Sequence, residues 1–304
     1  METKILVPLD GSHLSEQSLP YAMTLGQRLS AELVLLSAVS IPSDTLESLE
    51  KAGLEPEPLF EELEIKAGEY LEALAHLLSK AELSASHVVL RSRAAEAIVE
   101  YAEQADIQLI VMASHGYTGI ARWTHGSVAE RVLQSAPIPV LLVRAKEGIT
   151  QELPEGRPCR RVLVPLDGSK LAEQVLPTII PIAAALGCEV TLFRVLVVDT
   201  AGPFIGRWYL PQNSRFEAAD QDARSYLERL GSHIEAQGIR VSTAIQLGPV
   251  AKSIVDYAEA HDVDLIAMCT HGRTGIARWA LGSVADRVLR AGDKPVLLVR
   301  ARRG

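Results

Sequence analysis

Residues Ile5–Ser12 read ILVPLDGS, and residues Val162–Ser169 read VLVPLDGS. An uninterrupted apolar run of this length is typical of a strand buried on both faces, as in a parallel sheet. The Asp-Gly-Ser that follows favours a turn, after which Ser12 can cap a helix predicted over residues 14–29. Each copy therefore predicts the strand, turn and helix that begin an α/β domain.

The repetition extends over nearly the whole chain. Ser114–Val132 reads SHGYTGIARWTHGSVAERV, Thr270–Val288 reads THGRTGIARWALGSVADRV, and PVLLVR begins at both Pro139 and Pro295. The copies are offset by 156 or 157 residues, a length that suits a domain with a single core. We therefore predict two tandem domains, at residues 1–146 and 159–304, joined by a linker rich in Pro and Gly at residues 147–158.

Apolar runs of strand length alternate with helical patterns along each repeat. This alternation predicts an α/β fold in which right-handed crossovers connect the strands of a parallel sheet. Residues 40–59 contain three prolines and a glycine, so we expect them to be mostly irregular. The last apolar runs, residues 140–143 and 296–299, are predicted edge strands. An exposed apolar edge strand must be covered or paired, and the simplest arrangement is that the two repeats pair with each other there.

Composition is typical of a cytosolic globular protein, with 48% hydrophobic and 22% charged residues. A net charge of −8 argues against a nucleic-acid partner, which normally requires a basic surface. The three cysteines have no paired spacing, which favours reduced thiols. We find neither a signal peptide nor an apolar run long enough to span a membrane, and no His, Cys or carboxylate cluster with zinc spacing.

The glycine-containing segment in each repeat is a candidate phosphate site. Gly116 is followed after nine residues by Gly126 and Ser127, and Gly272 by Gly282 and Ser283. Glycines allow an anion to approach the backbone, and the free N–H groups of the following helix can bind it. The alternative is an ordinary turn with a capped helix, since Ser127 with Glu130 and Ser283 with Asp286 have capping-box spacing.

Two further pairs of polar residues follow predicted strands. Asp10 and Asp167 end the first strand of each repeat, where they either bind a nucleotide's base or sugar or serve as turn residues. His115 and His271 precede the loop glycine, where each can contact a ligand or a Mg²⁺-bound water. Catalysis would require a nucleophile and an orienting partner, and the sequence identifies neither, so we assign no catalytic residue.

Taken together, VPLDGS, the SHG or THG with its distant GSVA, and PVLLVR resemble the universal stress protein family in its tandem two-domain form. The resemblance spans both repeats and implies Rossmann-like domains, each a five-stranded parallel sheet of order 3-2-1-4-5 flanked by helices. In the ATP-binding branch the motif is Gly, two residues, Gly, nine residues, then Gly-Ser or Gly-Thr. This chain departs from it at the first glycine, which is Ala113 in one repeat and Cys269 in the other.

The resemblance also implies how each repeat would hold a nucleotide. Asp10 and Asp167 would lie beside the adenosine, and Ala38 and Val195 would meet the adenine through backbone groups. The glycine loops would hold the triphosphate, with Mg²⁺. The remaining residues assigned to the two sites line the pocket or flank the loops: Pro8, Leu9, Met112, Val128, Pro165, Leu166, Met268 and Val284.

The function that this implies is an ATP-binding stress-response sensor or regulator in the cytoplasm, rather than a fast enzyme. Two alternatives stay open: a slow ATPase or other nucleotide hydrolase, and a nucleotide-free scaffold in which the loops are only structural. In this family the last strands commonly form a dimer contact, which implies an internal pseudo-dimer here and allows further homodimerisation.

Overall fold

A computed structural model describes residues 3–115, 127–146, 159–197, 212–270 and 281–301. The chain divides into two compact units, Met1–Pro158 and Cys159–Gly304. The predicted linker, residues 147–158, lies outside the described residues.

The first unit alternates strands with helices as the sequence predicts. Its described strands are β1 (Lys4–Pro8), β2 (Glu32–Val39), β3 (Ala85–Arg91), β4 (Leu109–His115) and β5 (Val140–Ala145). Its described helices are α1 (His13–Glu16), α2 (Leu19–Leu29), α3 (Ser43–Lys51), α4 (Glu57–Lys80), α5 (Ala94–Gln104) and α6 (Ser127–Ser135).

The second unit repeats this order without a counterpart of α3 among its described residues. Its described strands are β6 (Arg161–Pro165), β7 (Glu189–Leu196), β8 (Val241–Leu247), β9 (Leu265–Cys269) and β10 (Val296–Val299). Its described helices are α7 (Lys170–Glu173), α8 (Leu176–Leu186), α9 (Gln212–Glu235), α10 (Val250–Ala260) and α11 (Ser283–Ala291).

Each unit builds a parallel sheet with the first strand in the middle. The strand order is β3-β2-β1-β4-β5 in the first unit and β8-β7-β6-β9-β10 in the second. The predicted α/β class and the order 3-2-1-4-5 are therefore confirmed. Because β1 and β6 are central, their apolar side chains are inaccessible to solvent: Ile5, Leu6, Val7, Val162, Leu163 and Val164.

Right-handed crossovers fix which helices share a face of the sheet. The chain moves from β1 to β2 to β3 in one direction, so the helices between these strands lie on one face. It then moves from β3 to β4 to β5 in the opposite direction, which places α5 and α6 on the other face. We call these the α1 face and the α6 face, and the second unit has the equivalent α7 and α11 faces.

Two local predictions about helices need correction. The helix predicted over residues 14–29 is divided into α1 and α2, and Pro20 lies in the first turn of α2, where a missing N–H costs nothing. Residues 40–59 are not mostly irregular, because α3 begins directly after Pro42 and α4 begins at Glu57. A proline that precedes or opens a helix is compatible with it, and here prolines mark helix starts.

Candidate functional site

The candidate site is built where β1, β2 and β4 end. Pro8 on β1 is paired with Leu36 on β2, and the amide of Leu9 donates to the carbonyl oxygen of Leu36 at 2.8 Å. Continuing this register places Asp10 level with Ala38. Asp10 therefore follows the end of β1 at the same edge of the sheet where Ala38 lies near the end of β2.

The second repeat has the same arrangement. Pro165 is paired with Phe193, and the amide of Leu166 donates to the carbonyl oxygen of Phe193 at 2.8 Å. Asp167 is therefore level with Val195. The adjacent ends of β4 and β9 carry the other predicted site residues, since the registers of Leu6 with Ile110 and Leu163 with Ile266 place Pro8 level with Met112, and Pro165 level with Met268.

Both aspartates form the turn that their sequence predicts. Gly11 has φ of 77°, and Asp10 Oδ1 accepts hydrogen bonds from Ser12 N at 2.9 Å and from Ser12 Oγ at 2.6 Å. In the second repeat Gly168 has φ of 83°, and Asp167 Oδ1 accepts from Ser169 N at 2.9 Å. The turn holds each carboxylate at the carboxyl edge of its sheet, and Asp10 is exposed there.

The two serines of these turns also cap the next helix. Ser12 Oγ accepts from Ser15 N and Ser169 Oγ accepts from Ala172 N, each at 3.2 Å. The cap predicted for Ser12 is therefore confirmed. These bonds lock the geometry of the turn, which pre-organises the edge of the sheet where Asp10 and Asp167 stand.

The helices after the glycine segments begin at the predicted residues. Ser127 is the first residue of α6 and Ser283 is the first of α11, and both are exposed. Val128 and Val284 come next and are half-buried. The N-termini of these helices follow the ends of β4 and β9, as an anion site would require.

The capping-box interpretation is wrong for the second repeat. The residue that caps α11 is Gly282, with φ of −60° and ψ of 145°, and no side chain bonds to the cap. Asp286 instead pairs with Arg290, with a shortest distance of 2.8 Å. The amide of Gly282 donates to the carbonyl oxygen of Thr270 at 2.8 Å.

Several predicted site residues lie outside the described residues. They are Gly116, Gly126, His271 and Gly272. His115 is the last residue of β4, and only its backbone is described.

Cys269, which departs from the family motif, is packed on the α7 face. Its Sγ lies 3.6 Å from the carbonyl oxygen of Ala172 in α7, and its side chain is buried. Burial raises the pKa of the Cys269 thiol to about 12, so the side chain is a neutral thiol at physiological pH. Ala113 is the equivalent residue in the first repeat and is half-buried.

Sequence reasoning missed a tyrosine–glutamate pair that occurs in both repeats. Tyr70 Oη donates to Glu16 Oε1 at 2.9 Å, which ties α4 to α1. Tyr226 Oη likewise donates to Glu173 Oε1 at 3.3 Å and ties α9 to α7. The available signal was the spacing of 156 residues between the tyrosines, which matches the offset of the repeats.

Ser114 was also missed, although it begins the SHG motif. It lies near the carboxyl end of β4, paired with Arg144 of β5. Its side chain is 2% exposed, and its Oγ has no hydrogen-bond partner among the described residues. An unpartnered buried hydroxyl is costly, which makes this position unusual.

The described residues lack two features that mark other classes of protein. They contain no group of three or more His, Cys, Asp or Glu side chains arranged to hold a metal ion. None of their helices combines the length and the apolar character that crossing a membrane requires.

Known universal stress proteins are similar to this chain over nearly its whole length. Universal stress protein Slr1230 of Synechocystis is 25% identical over 97% of this chain and 99% of its own length. Universal stress protein MJ0531 of Methanocaldococcus jannaschii is 33% identical over 46% of this chain and 82% of its own length. A solved universal stress protein from Archaeoglobus fulgidus has the same fold, with a TM-score of 0.69 at 21% identity, covering 98% of this chain and 96% of its own.

The sequence model of the universal stress protein family agrees with the duplication seen in the sequence. It matches residues 1–144 and again residues 158–300, once for each repeat. With both repeats matched and the strand order confirmed, the chain belongs to the universal stress protein family, in a tandem two-domain form.

Proposed function

We propose that this protein binds ATP at the carboxyl edge of its sheets and acts as a cytosolic stress-response sensor or regulator. The observation that carries the proposal is the pairing of β1 with β2 on one side and with β4 on the other. Continued past the end of β1, this pairing sets Asp10 level with Ala38 and beside the end of β4, the strand that precedes α6. Ligands of open parallel sheets bind at this edge, beside the central strand where the chain reverses direction. The resemblance of the glycine motif to that of the ATP-binding branch selects the ligand.

Two groups of residues would contact the nucleotide, one at the adenosine and one at the phosphates. Pro8, Leu9 and Ala38 offer apolar surface and backbone groups to the base, and the carboxylate of Asp10 suits a hydroxyl or an amino group of the adenosine. The free N–H groups at the start of α6 suit phosphate oxygens, helped by the positive end of the helix dipole. Glu130 in the first turn of α6 opposes this, so charge neutralisation by a cation is needed.

Mg²⁺ fits this arrangement as a partner of the nucleotide rather than as a resident of the protein. Magnesium in nucleotide sites typically keeps several waters and binds phosphate oxygens plus one or two carboxylates. Among the residues that the structure describes at this edge of the first sheet, Asp10 offers such a carboxylate. The ion would neutralise the triphosphate and thereby offset the charge of Glu130.

Titration calorimetry with Mg-ATP tests the proposal. We expect binding by the wild-type chain and strong loss of affinity in Gly126→Val combined with Gly282→Val, because a branched side chain blocks phosphate approach to the backbone. Gly68→Ala is the control, since Gly68 lies in α4, outside the glycine segments, with open space around its Cβ position. Absence of binding at millimolar ATP, or unchanged affinity in the double variant, would contradict the proposal.

A phosphate-release assay and further binding titrations separate the competing functions. Steady phosphate release that is lost in His115→Ala with His271→Ala would identify a slow ATPase. No binding of any nucleotide would favour a scaffold. A universal stress protein has been solved in complex with cAMP, so cAMP is included as a competing ligand.

A further inference from the structure

We infer that Ser114 contacts the nucleotide in the first repeat, its hydroxyl donating to a phosphate oxygen. The inference rests on the proposed function and adds a residue to that site. It starts from a side chain that is 2% exposed and whose Oγ has no hydrogen-bond partner among the described residues. Buried hydroxyls are almost always hydrogen-bonded, so an unpartnered one requires an explanation, and an absent ligand is one.

The direction of the side chain follows from its neighbour. Cys269 Sγ faces the carbonyl oxygen of Ala172, so position 269 points to the α7 face. Successive residues of a strand point to opposite faces. Ala113, the equivalent of Cys269, therefore points to the α1 face, and Ser114, the next residue of β4, points to the α6 face.

The α6 face is the side on which a phosphate would sit. Ser127 begins α6 and is exposed, so the free N–H groups of this helix open at the carboxyl edge of the sheet. Ser114 stands at the same edge, at the end of the strand that precedes α6. A phosphate bound by the helix N-terminus can accept the hydrogen bond that the buried hydroxyl lacks.

The equivalent residue of the second repeat, Thr270, has contacts of its own. The carbonyl oxygen of Thr270 accepts a hydrogen bond from the amide of Gly282 at 2.8 Å, so strand end and helix cap are bonded to each other. Thr270 is buried and has partners within the protein. The unpartnered hydroxyl is thus a property of the first repeat, and that site alone is tested below.

The experiment compares variants made in a Gly282→Val background, so that only the first repeat reports. The φ and ψ of Gly282, −60° and 145°, suit valine, so this background should fold. Affinities for Mg-ATP and for adenosine are measured by calorimetry, and the melting temperature is measured without nucleotide. Ser114→Thr, which carries the residue of the second repeat, is the conservative variant that keeps the hydroxyl.

We expect Ser114→Ala to weaken Mg-ATP binding about tenfold, as for loss of a hydrogen bond to a charged group. The affinity for adenosine should stay within about twofold of the background value, because adenosine has no phosphate to which Ser114 could donate. The ligand-free melting temperature should stay the same or rise by about 2–4 °C, because an unpartnered buried hydroxyl has been removed. Ser114→Thr should retain most of the Mg-ATP affinity.

The outcomes separate this inference from the proposed function. If the background chain binds Mg-ATP and Ser114→Ala binds it equally well, the role of Ser114 is wrong while the proposed function stands. An equal loss for Mg-ATP and adenosine also overturns it, because that points to a distorted site. If the wild-type chain binds Mg-ATP but the background chain does not, the first repeat is not a nucleotide site and the role of Ser114 falls. If the wild-type chain binds no nucleotide either, both proposals fall.

Discussion

The amide of Gly282 donates a hydrogen bond of 2.8 Å to the carbonyl oxygen of Thr270. Thr270 directly follows β9, and Gly282 caps α11, the helix that follows the glycine segment. This bond connects the two ends of a segment that would otherwise offer a free amide to a phosphate. The second site must therefore exchange an internal hydrogen bond for each new one that it makes at Gly282.

We predict from this that phosphate binding at the second repeat costs more than binding at an open helix N-terminus would. Exchange of a backbone hydrogen bond costs about 1 kcal/mol, or roughly five- to tenfold in affinity. Gly282→Val should remove the part of a calorimetric Mg-ATP titration that this repeat contributes. An unchanged titration in Gly282→Val would contradict a nucleotide site in the second repeat.

A second prediction concerns the turn after β1. Gly11 has φ of 77° and open space around its Cβ position, so an alanine there is strained by backbone conformation alone. We expect Gly11→Ala to lower the free energy of unfolding by about 1 kcal/mol. Urea denaturation measures it, with Gly68→Ala as the control: Gly68 is helical and equally open, so alanine should stabilise by about 0.5–1 kcal/mol. Equal effects of the two substitutions would refute the conformational explanation.

The Asp10 carboxylate should contribute to stability separately from any ligand. Asp10 Oδ1 accepts hydrogen bonds from the amide and the hydroxyl of Ser12. Asp10→Asn retains an acceptor oxygen, so its free energy of unfolding should stay within about 0.5 kcal/mol of the wild-type value. Asp10→Ala should lower the free energy of unfolding by about 1 kcal/mol. Under the proposed function both variants bind Mg-ATP more weakly, so a stability difference without an affinity loss would leave Asp10 as a turn residue only.

The tyrosine–glutamate pairs predict a loss of stability in alkali. Burial, followed by the hydrogen bond from the hydroxyl to Glu16, raises the pKa of Tyr70 above its ordinary 10.0. Burial and the charge of Glu173 do the same to the pKa of Tyr226. Because folding favours the protonated phenol, this stabilisation is complete below pH 10 and declines as the pH rises through the folded-state pKa.

Tyr70→Phe with Tyr226→Phe tests this directly. The double variant should be less stable at pH 7, by about 0.5–1.5 kcal/mol for each lost hydrogen bond, yet should lose less stability than the wild type above pH 10. Chemical denaturation at pH 7 and at a series of alkaline pH values gives both quantities. Parallel stability curves for the two proteins above pH 10 would argue against the titration of these tyrosines.

The cysteines should be unreactive in the folded protein. Cys159, Cys188 and Cys269 are all buried, and burial raises the pKa of Cys269 to about 12. A hydrogen bond with Cys188 and burial raise the pKa of Cys159 as well. Since the thiolate is the reactive form, a disulfide reagent at pH 8 should label the thiols only after denaturation. Rapid labelling of the native chain would contradict this.

The parts of the fold that the sequence predicted are those controlled by local pattern. Apolar runs such as Ile5–Val7 can be satisfied only in a buried strand, so β1 and its repeat β6 were identified directly. Helix α3 was missed because its neighbouring prolines were taken as breakers. Its two leucines, Leu46 and Leu49, are only half-buried, so the apolar pattern of this helix is short and weak.

The candidate site was predicted less completely, for a physical reason. Asp10 was found because it follows a predicted strand, and Ala38 because the family resemblance implies it. Their alignment depends on the pairing of β1 with β2, which the sequence does not state. Ser114 was overlooked because a serine in a polar motif looks solvated. Its burial and lack of a partner arise only when the strands assemble.

One measurement tests the central claim most directly: calorimetric titration of the intact chain with Mg-ATP, repeated with Gly126→Val and Gly282→Val combined. The account predicts saturable binding by the wild type and its loss in the double variant, while both proteins melt at similar temperatures. Binding that survives both substitutions, or a wild-type chain that takes up no ATP at millimolar concentration, would contradict a nucleotide site at the carboxyl edge of these sheets.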